Sequence, residues 1–431
     1  MKRKKVVYLI CIIFPIIFSQ IHAAKIDLKE NNYNHLLEEN TKIQQIIEMV
    51  NESIIKNYLE ELVEIGPRAT GTEGCDEGAD FLFEKFTDLG LDTRFQKWSS
   101  LSVYLPVQIY KSKNVEATLK GNNEDSEMII FSAHYDTVKV SPGANDDGSG
   151  VAAVLVAAKI LSQFEFNRTI KFVCFSGEEI GLLGSRAYVE EIYEDDQELL
   201  VAFNADMIGY AETAQGGETV RVYPCEDTLW IKDKIREINT NYDINFNISG
   251  DWILEPGGQR YGSDFYDFLL YGYDVITFFE EESNRSYFHT PEDTIEHVNF
   301  SYLVNTTKLI IASLAYFADI EMEYPQVRIS HPRHGQLYIK NNPFINLPYH
   351  MIIVLSNILL QADVKPGGSP IEKVEFYYDN KLQFVDTEEP YNWMLDRFSF
   401  FIHKVKVKAY DQSGKTSVAQ STLTYLNLKT N

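Results

Sequence analysis

Residues 128–161 read MIIFSAHYDTVKVSPGANDDGSGVAAVLVAAKIL. Met128–Ala133 is an unbroken apolar run of strand length, and Val151–Leu161 is an apolar run of helix length. A strand without polar alternation is buried on both faces, the pattern of a parallel sheet covered by helices. Between the two runs the chain turns polar and glycine-rich, and His134, Asp136, Asp146 and Asp147 all fall there. In an open α/β sheet, ligands gather beyond the carboxyl ends of the strands, so this loop is the place to look for chemistry.

The same grammar continues on both sides. Ile170–Phe175, Leu199–Asn204 and Val275–Phe279 read as further buried strands, and Gly184–Glu191 as a helix. Upstream, Ile43, Ile46, Ile47, Val50, Ile54, Ile55, Leu59, Leu62 and Val63 recur at spacings of three and four. They predict one or two amphipathic helices, stopped by Gly66-Pro67, with another near Gly78–Leu89 ending at Gly90. The expected fold is α/β, with a mostly parallel mixed sheet flanked by helices.

Around Tyr324-Pro325 the pattern changes. In His403–Tyr410, Val405, Val407 and Ala409 alternate with Lys404, Lys406 and Lys408, and Ile371–Tyr378 alternates likewise. Asp379-Asn380 and Asp411–Gly414 are turn signals between such runs. Residues 323–431 are therefore expected to form a small all-β sandwich. No group of titratable residues in it reads as catalytic, and His331-Pro332-Arg333-His334 reads as a solvated turn.

The N-terminus carries a leader. Lys2, Arg3, Lys4 and Lys5 precede an apolar run, Val6–Phe18, too short for the ~20 residues that span a bilayer. Ser19–Ala24 is a polar, small-residue exit, so residues 1–24 are expected to be a signal peptide cleaved after Ala23 or Ala24. The expected setting is secreted, periplasmic or extracellular, with no stable membrane insertion after cleavage. Past the leader stand Cys75, Cys174 and Cys225, an odd number, so at least one thiol is unpaired. Cys174 lies in a strand and reads as core; Cys75 and Cys225 read as a bridge or as two free thiols. A net charge of −24 over 431 residues argues against nucleic acid and against an anionic membrane surface as partner. The 45 % hydrophobic share is enough to build packed cores.

Five segments at predicted strand ends carry acids and histidines: His134–Asp136, Ala144–Gly150, Glu178-Glu179, Asp206 and His289–Pro291. Two metal ions about 3.5–4 Å apart need one bridging carboxylate, and each ion wants further N or O ligands. Asp146 is the expected bridge, with His134 and Asp206 on one ion and Glu179 and His289 on the other. Three carboxylates and two neutral imidazoles suit two zinc ions. Asp136 is expected to fix the His134 ring through its second nitrogen, and Glu178 to act as general acid and base. Ser149 is the expected cap of the Val151 helix; Asp147 reads as a support of the ligands, or equally as a cap or a surface residue.

This set resembles metallopeptidase family 28, the co-catalytic di-zinc exopeptidases related to bacterial leucyl aminopeptidase. The resemblance rests on His134–Asp136, Gly143–Gly150, Glu178–Ser185, Asp206-Met207 and His289–Thr294, with Ile65–Arg68 leading them. It covers roughly residues 40–320, and it implies a di-zinc peptidase domain at 25–322 in which Asp136 and Glu178 are catalytic and His134, Asp146, Glu179, Asp206 and His289 hold the metals. The tail is similar to bacterial immunoglobulin-like modules. Peptides are the substrates implied, and the family's removal of N-terminal residues is the expected activity; oligomeric state is not legible.

The chain also departs from the pattern. Ser263-Asp264-Phe265 stands where relatives often have Ser-Asp-His, and the cysteine pair some relatives carry is missing from Gly257–Ser263. Tyr261 reads as an oxyanion donor or as a core or rim tyrosine. A carboxypeptidase or dipeptidase on the same site would need a cation for the substrate carboxylate, for which Arg260 and Arg285 are candidates. A glutaminyl cyclase-like transferase is disfavoured by Asp146–Gly150, and a binding protein on an inactive scaffold by the full set of acids and histidines.

Overall fold

The computed structural model describes residues 41–102, 107–123, 126–255, 262–282, 287–347 and 350–428. The expected signal peptide at residues 1–24, Arg260, Tyr261 and Arg285 lie outside them. Residues 41–49 are helical, and everything below belongs to the body that begins at Val50.

Eight strands form one mixed sheet: β1 (Asp92–Ser102), β2 (Gln108–Leu119), β3 (Met128–His134), β4 (Ile170–Phe175), β5 (Leu199–Ala205), β6 (Thr219–Pro224), β7 (Asn247–Ser249) and β8 (Val275–Glu280). Their order is β1-β2-β4-β3-β5-β8-β6-β7. The inner run β4-β3-β5-β8 is parallel, while β1, β2 and β6 pair antiparallel at the flanks. The continuous apolar runs became the inner strands because both their faces are covered; all seven residues of β3 are buried. The helix that follows, Gly148–Leu161, buries every residue but Lys159. It packs on β3 beneath the helices Glu52–Glu64 and Phe300–Asp319.

The sequence pattern did not resolve β1, β2, β6 and β7, whose polar residues face water or one another. It also misplaced a cap. The Gly148–Leu161 helix is capped by Asp147, whose side chain accepts from the Gly150 amide at 2.9 Å. Ser149 sits inside the first turn, where its hydroxyl donates to the Asn145 carbonyl at 2.8 Å and accepts from the Ile208 amide. The second helix starts earlier than expected, at Glu73, because Thr72 caps it by accepting from Cys75. Cys75, Cys174 and Cys225 are all free and buried.

The C-terminal region is all-β, a seven-stranded sheet facing a three-stranded one. Val405, Val407 and Ala409 turn inward onto Val374, Phe376, Leu423 and Tyr425, as the alternation requires. The opposite face carries lysines, and these meet the acidic α/β domain: Lys406 pairs with Glu226 at 3.0 Å and Lys404 with Glu255 at 3.5 Å. Lys365 reaches Glu127 and Glu198, which immediately precede β3 and β5. Asp227 accepts from the Ser417 hydroxyl and the Val418 amide. The tail thus docks at the amino ends of the parallel strands, and a cavity of about 250 Å3 remains along the seam.

His331–His334 is not a solvated turn. The His334 ring packs between Tyr193 and Tyr271, with centroids 5.6 Å from each, and its Nδ1 bonds the His350 carbonyl. Burial holds its pKa down to about 4. Arg333 stacks on Tyr193 and pairs with Asp196. The segment is part of the docking contact.

Candidate metal centre

All five acidic and histidine segments converge at the carboxyl ends of β3, β4, β5 and β8, the end of the sheet opposite the tail. His134 closes β3, Glu178 and Glu179 lie in the turn after β4, Asp206 follows β5, and His289 lies in the loop after β8. Two of these positions carry backbone strain. His289 and Met207, the residue after Asp206, have φ of 58° and 54°, in the left-handed region disfavoured for side chains with a Cβ.

The Asp146 carboxylate lies between two imidazoles. One oxygen is 3.3 Å from His134 Nε2 and the other 3.1 Å from His289 Nε2. Each imidazole has a second acid: Asp206 is 3.8 Å from His134 Nε2, and Glu179 is 2.9 Å from His289 Nε2. The neighbouring Asp147 is built differently. Its oxygens accept from the amides of Gly150, Met207 and His134 at 2.9, 3.1 and 3.2 Å. Asp147 therefore ties the ends of β3 and β5 to the start of the helix. Its own oxygens also fall within a cluster with His134 and Asp206. With three amides already on it, Asp147 is the support, while Asp146 presents both oxygens to imidazoles. The peptide joining the two residues is cis.

Asp136 does not hold the His134 ring through its side chain. Nδ1 of His134 lies 3.0 Å from the Asp136 carbonyl and 3.7 Å from its carboxylate. The carboxylate instead accepts from Thr70 Oγ1 at 2.7 Å and from the Glu178 amide at 3.2 Å. Asp136 thereby positions both the imidazole and the backbone of Glu178.

Three supports were passed over in the sequence. Asp293 accepts from the amides of Asn145 and Asp146 at 2.8 and 3.0 Å, and its carbonyl accepts from Ala144. Glu280 accepts from the Asn145 side chain and, at 2.7 Å, from the Tyr210 amide. Arg68, fully buried, donates to the carbonyls of Leu62, Gly66, Tyr135, Pro142 and Gly143. Asp293 was within reach of sequence reasoning, since it sits four residues after His289 in the quoted His289–Thr294 motif.

The electrostatics are those of a site that wants cations. Burial pushes Glu179 up to about 7 and Glu178 well above the carboxylate range. Burial would lower His289, but hydrogen bonds to Asp146 and Glu179 hold it up to about 10. The same imidazoles outweigh burial at Asp146 and bring it down to about 2. The buried Asp146 and Glu179 carboxylates have the two imidazoles to offset their charge, and Glu179 Oε1 is buried without a hydrogen-bond partner. Hard oxygens and imidazole nitrogens converge on two foci, His134–Asp206 and Glu179–His289, with Asp146 between them. This donor set fits borderline divalent metals such as zinc.

Residues 114–314 match the family model described as peptidase family M28. Aminopeptidase YwaD of Bacillus subtilis is 33 % identical over 218 residues, covering 47 % of this chain and 44 % of YwaD. The chain spans about half the length of the curated relatives it matches. Among solved structures, the LapA aminopeptidase of Legionella pneumophila superposes with a TM-score of 0.55 at 22 % identity, over 65 % of this chain and 74 % of LapA. The structure of BSAP, a zinc aminopeptidase from Bacillus subtilis, superposes with a TM-score of 0.54 at 20 % identity, over 63 % of this chain and 96 % of BSAP. These likenesses show that the α/β sheet shares its fold with LapA and BSAP. With the five segments meeting at its strand ends, the domain that carries this site is similar to peptidase family M28 over residues 114–314.

Proposed function

We propose that this chain is an exported zinc exopeptidase with two metal ions, an aminopeptidase that removes N-terminal residues from peptides. The observation that carries the reading is the Asp146 carboxylate, with one oxygen toward His134 and the other toward His289 at 3.3 and 3.1 Å. His134, Asp206 and Asp146 would hold one ion, and Glu179, His289 and Asp146 the other. Bound zinc supplies Lewis acidity, polarising the scissile carbonyl and making water a nucleophile near neutral pH.

The rest of the work falls to the chain. Glu178, its amide held by Asp136, takes the proton from the attacking water and returns it to the leaving amine nitrogen. Asp147, Asp293 and Glu280 keep the bridging loop in place, so little reorganisation is needed at the moment of reaction. Arg68 is spent on backbone carbonyls and holds the loops that carry His134 and Asp146. The names of the relatives point to aminopeptidase action. The Asp146–Gly150 segment speaks against a glutaminyl cyclase-like reaction, and the leader at residues 1–24 supports export.

The reading is tested by metal analysis and peptide hydrolysis together. Purified protein should hold close to two transition-metal equivalents, cleave free-amine and C-amidated peptides, and leave N-acetylated ones intact. Full activity with one equivalent would overturn the bridged site, and cleavage of acetylated but not amidated peptides would make it a carboxypeptidase. Glu178→Gln should keep its metal and lose about 100-fold or more in kcat; unchanged turnover would remove Glu178 as the base.

A further inference from the structure

The tail holds a second constellation that its sequence did not announce. Asp379 and Asn380 form the two-residue turn between the strands Ile371–Tyr378 and Lys381–Asp386, with φ of 49° and 60°. That turn folds onto the strand Ser399–Asp411. One Asp379 oxygen accepts from the Lys404 amide at 3.1 Å, and the other lies 2.7 Å from His403 Nδ1. His403 Nε2 is hydrogen-bonded to the Ser399 hydroxyl. The chain order is unlike that of familiar hydrolases, but a serine–imidazole–carboxylate relay is defined by geometry and roles.

We infer that Ser399, His403 and Asp379 form a second, metal-independent acyl-transfer site that acts on esters of apolar acids. Asp379, pinned by the Lys404 amide, selects the imidazole tautomer with its proton on Nδ1, which leaves Nε2 to accept from Ser399. The imidazole is also held by stacking on Tyr378, with centroids 4.6 Å apart. The Tyr378 hydroxyl is buried beside Ser399 and makes no hydrogen bond of good geometry, so it is available to an oxyanion. The Arg397 guanidinium lies over the Tyr378 ring at 4.9 Å.

The substrate class follows from the surroundings. Phe398, Phe400, Phe401 and Ile402 flank Ser399 and are 60–72 % exposed, an unusual density of apolar side chains in water. Pairing with the strand Ile371–Tyr378 begins only at Val405, so Ser399–Lys404 has a neighbour on one side alone. Ser399 itself is 7 % exposed at the foot of this shelf. In the first step the Ser399 oxygen bonds the acyl carbon as its proton passes to His403. The ester C–O bond then breaks and the alcohol leaves with that proton. Water next adds its oxygen to the acyl carbon and one proton, through His403, to the Ser399 oxygen. The products are one acid, one alcohol and the restored serine.

The test is labelling of the intact, metal-loaded protein with a fluorophosphonate, followed by mapping of the modified peptide by mass spectrometry. Phosphonylation of Ser399 is expected, falling about 100-fold in His403→Gln. Hydrolysis of p-nitrophenyl octanoate should exceed that of the acetate and be blocked by the label. No adduct on Ser399 in the wild-type chain, under conditions that label a control serine hydrolase, would reduce the trio to a structural hydrogen-bond network. So would equal labelling of a folded His403→Gln chain. If that variant does not fold, the wild-type adduct and the acyl-chain preference still decide. Neither readout depends on the metal centre.

Discussion

At the scale of single residues, the convergence of His134, Asp146, Glu179, Asp206 and His289 was legible because ligand chemistry dictates residue type. Two histidines and three carboxylates at strand ends are hard to account for otherwise. The supporting residues were not legible, because a carboxylate that accepts two amides looks in sequence like any surface acid. Asp293 is the sharpest case. It holds the amides of Asn145 and Asp146 and so aims the Asp146 carboxylate. Asp293→Asn should fold yet bind metal about 10–100-fold more weakly, as measured by competition with a chelator; an unchanged affinity would leave Asp293 no part in aiming Asp146. Arg68 makes the opposite prediction. Five carbonyls depend on its guanidinium, so Arg68→Met should cost about 3–5 kcal/mol in denaturant unfolding.

At the scale of elements, the inner strands and the Gly148–Leu161 helix followed from continuous apolar runs. The flanking strands β1, β2, β6 and β7 did not, since half-polar strands acquire their meaning from the neighbour they pair with. Where a helix abuts a strand end, a glycine carries information the sequence hides. A Cβ on Gly184 would lie 1.9 Å from the Ser176 carbonyl oxygen and 2.5 Å from Asn114 Oδ1. Gly184→Ala should therefore displace the turn that carries Glu178 and Glu179. The expected loss is about 3 kcal/mol or more of stability, with a parallel loss of turnover, read by thermal melting and kinetics. A melting temperature equal to wild type would mean that the turn moves freely.

At the scale of the molecule, the tail sits at the amino ends of the parallel strands and the metal centre at their carboxyl ends. Removing residues 325–431 should leave hydrolysis of small amino-acid amides within about threefold, far less than the ~100-fold loss of a catalytic group, while lowering the melting temperature. Loss of hydrolysis in a folded product would place the tail in the active site. The seam should also respond to pH. Burial pushes Asp274 up to about 7, and Asp227, facing it, well above its ordinary value. A raised pKa means that the folded state holds the proton more tightly, so this contribution is complete below about pH 4 and lost as pH rises through about 7. His334 works in the other direction: its folded value of about 4 lies below 6.5, and stability falls as pH drops through that interval. The Asp274 contribution should therefore decline between about pH 4 and 7 and level off above that, and Asp274→Asn should flatten the decline. Equal slopes of melting temperature for wild type and Asp274→Asn from about pH 4 to 7 would exclude it.

By itself the sequence determined which runs become the core and which residue types can hold two cations, because burial and ligand chemistry act on residue identity and local spacing. Tertiary structure alone decided the rest. It set Asp146 against two imidazoles and Asp147 against three amides, though the two are adjacent and identical in kind. It turned His334 from a loop residue into part of the seam. It also brought Asp379 and Ser399, twenty residues apart in the chain, onto one imidazole. In each case the deciding quantity is direction and distance between side chains on different elements, which pairing and packing settle after local sequence has had its say.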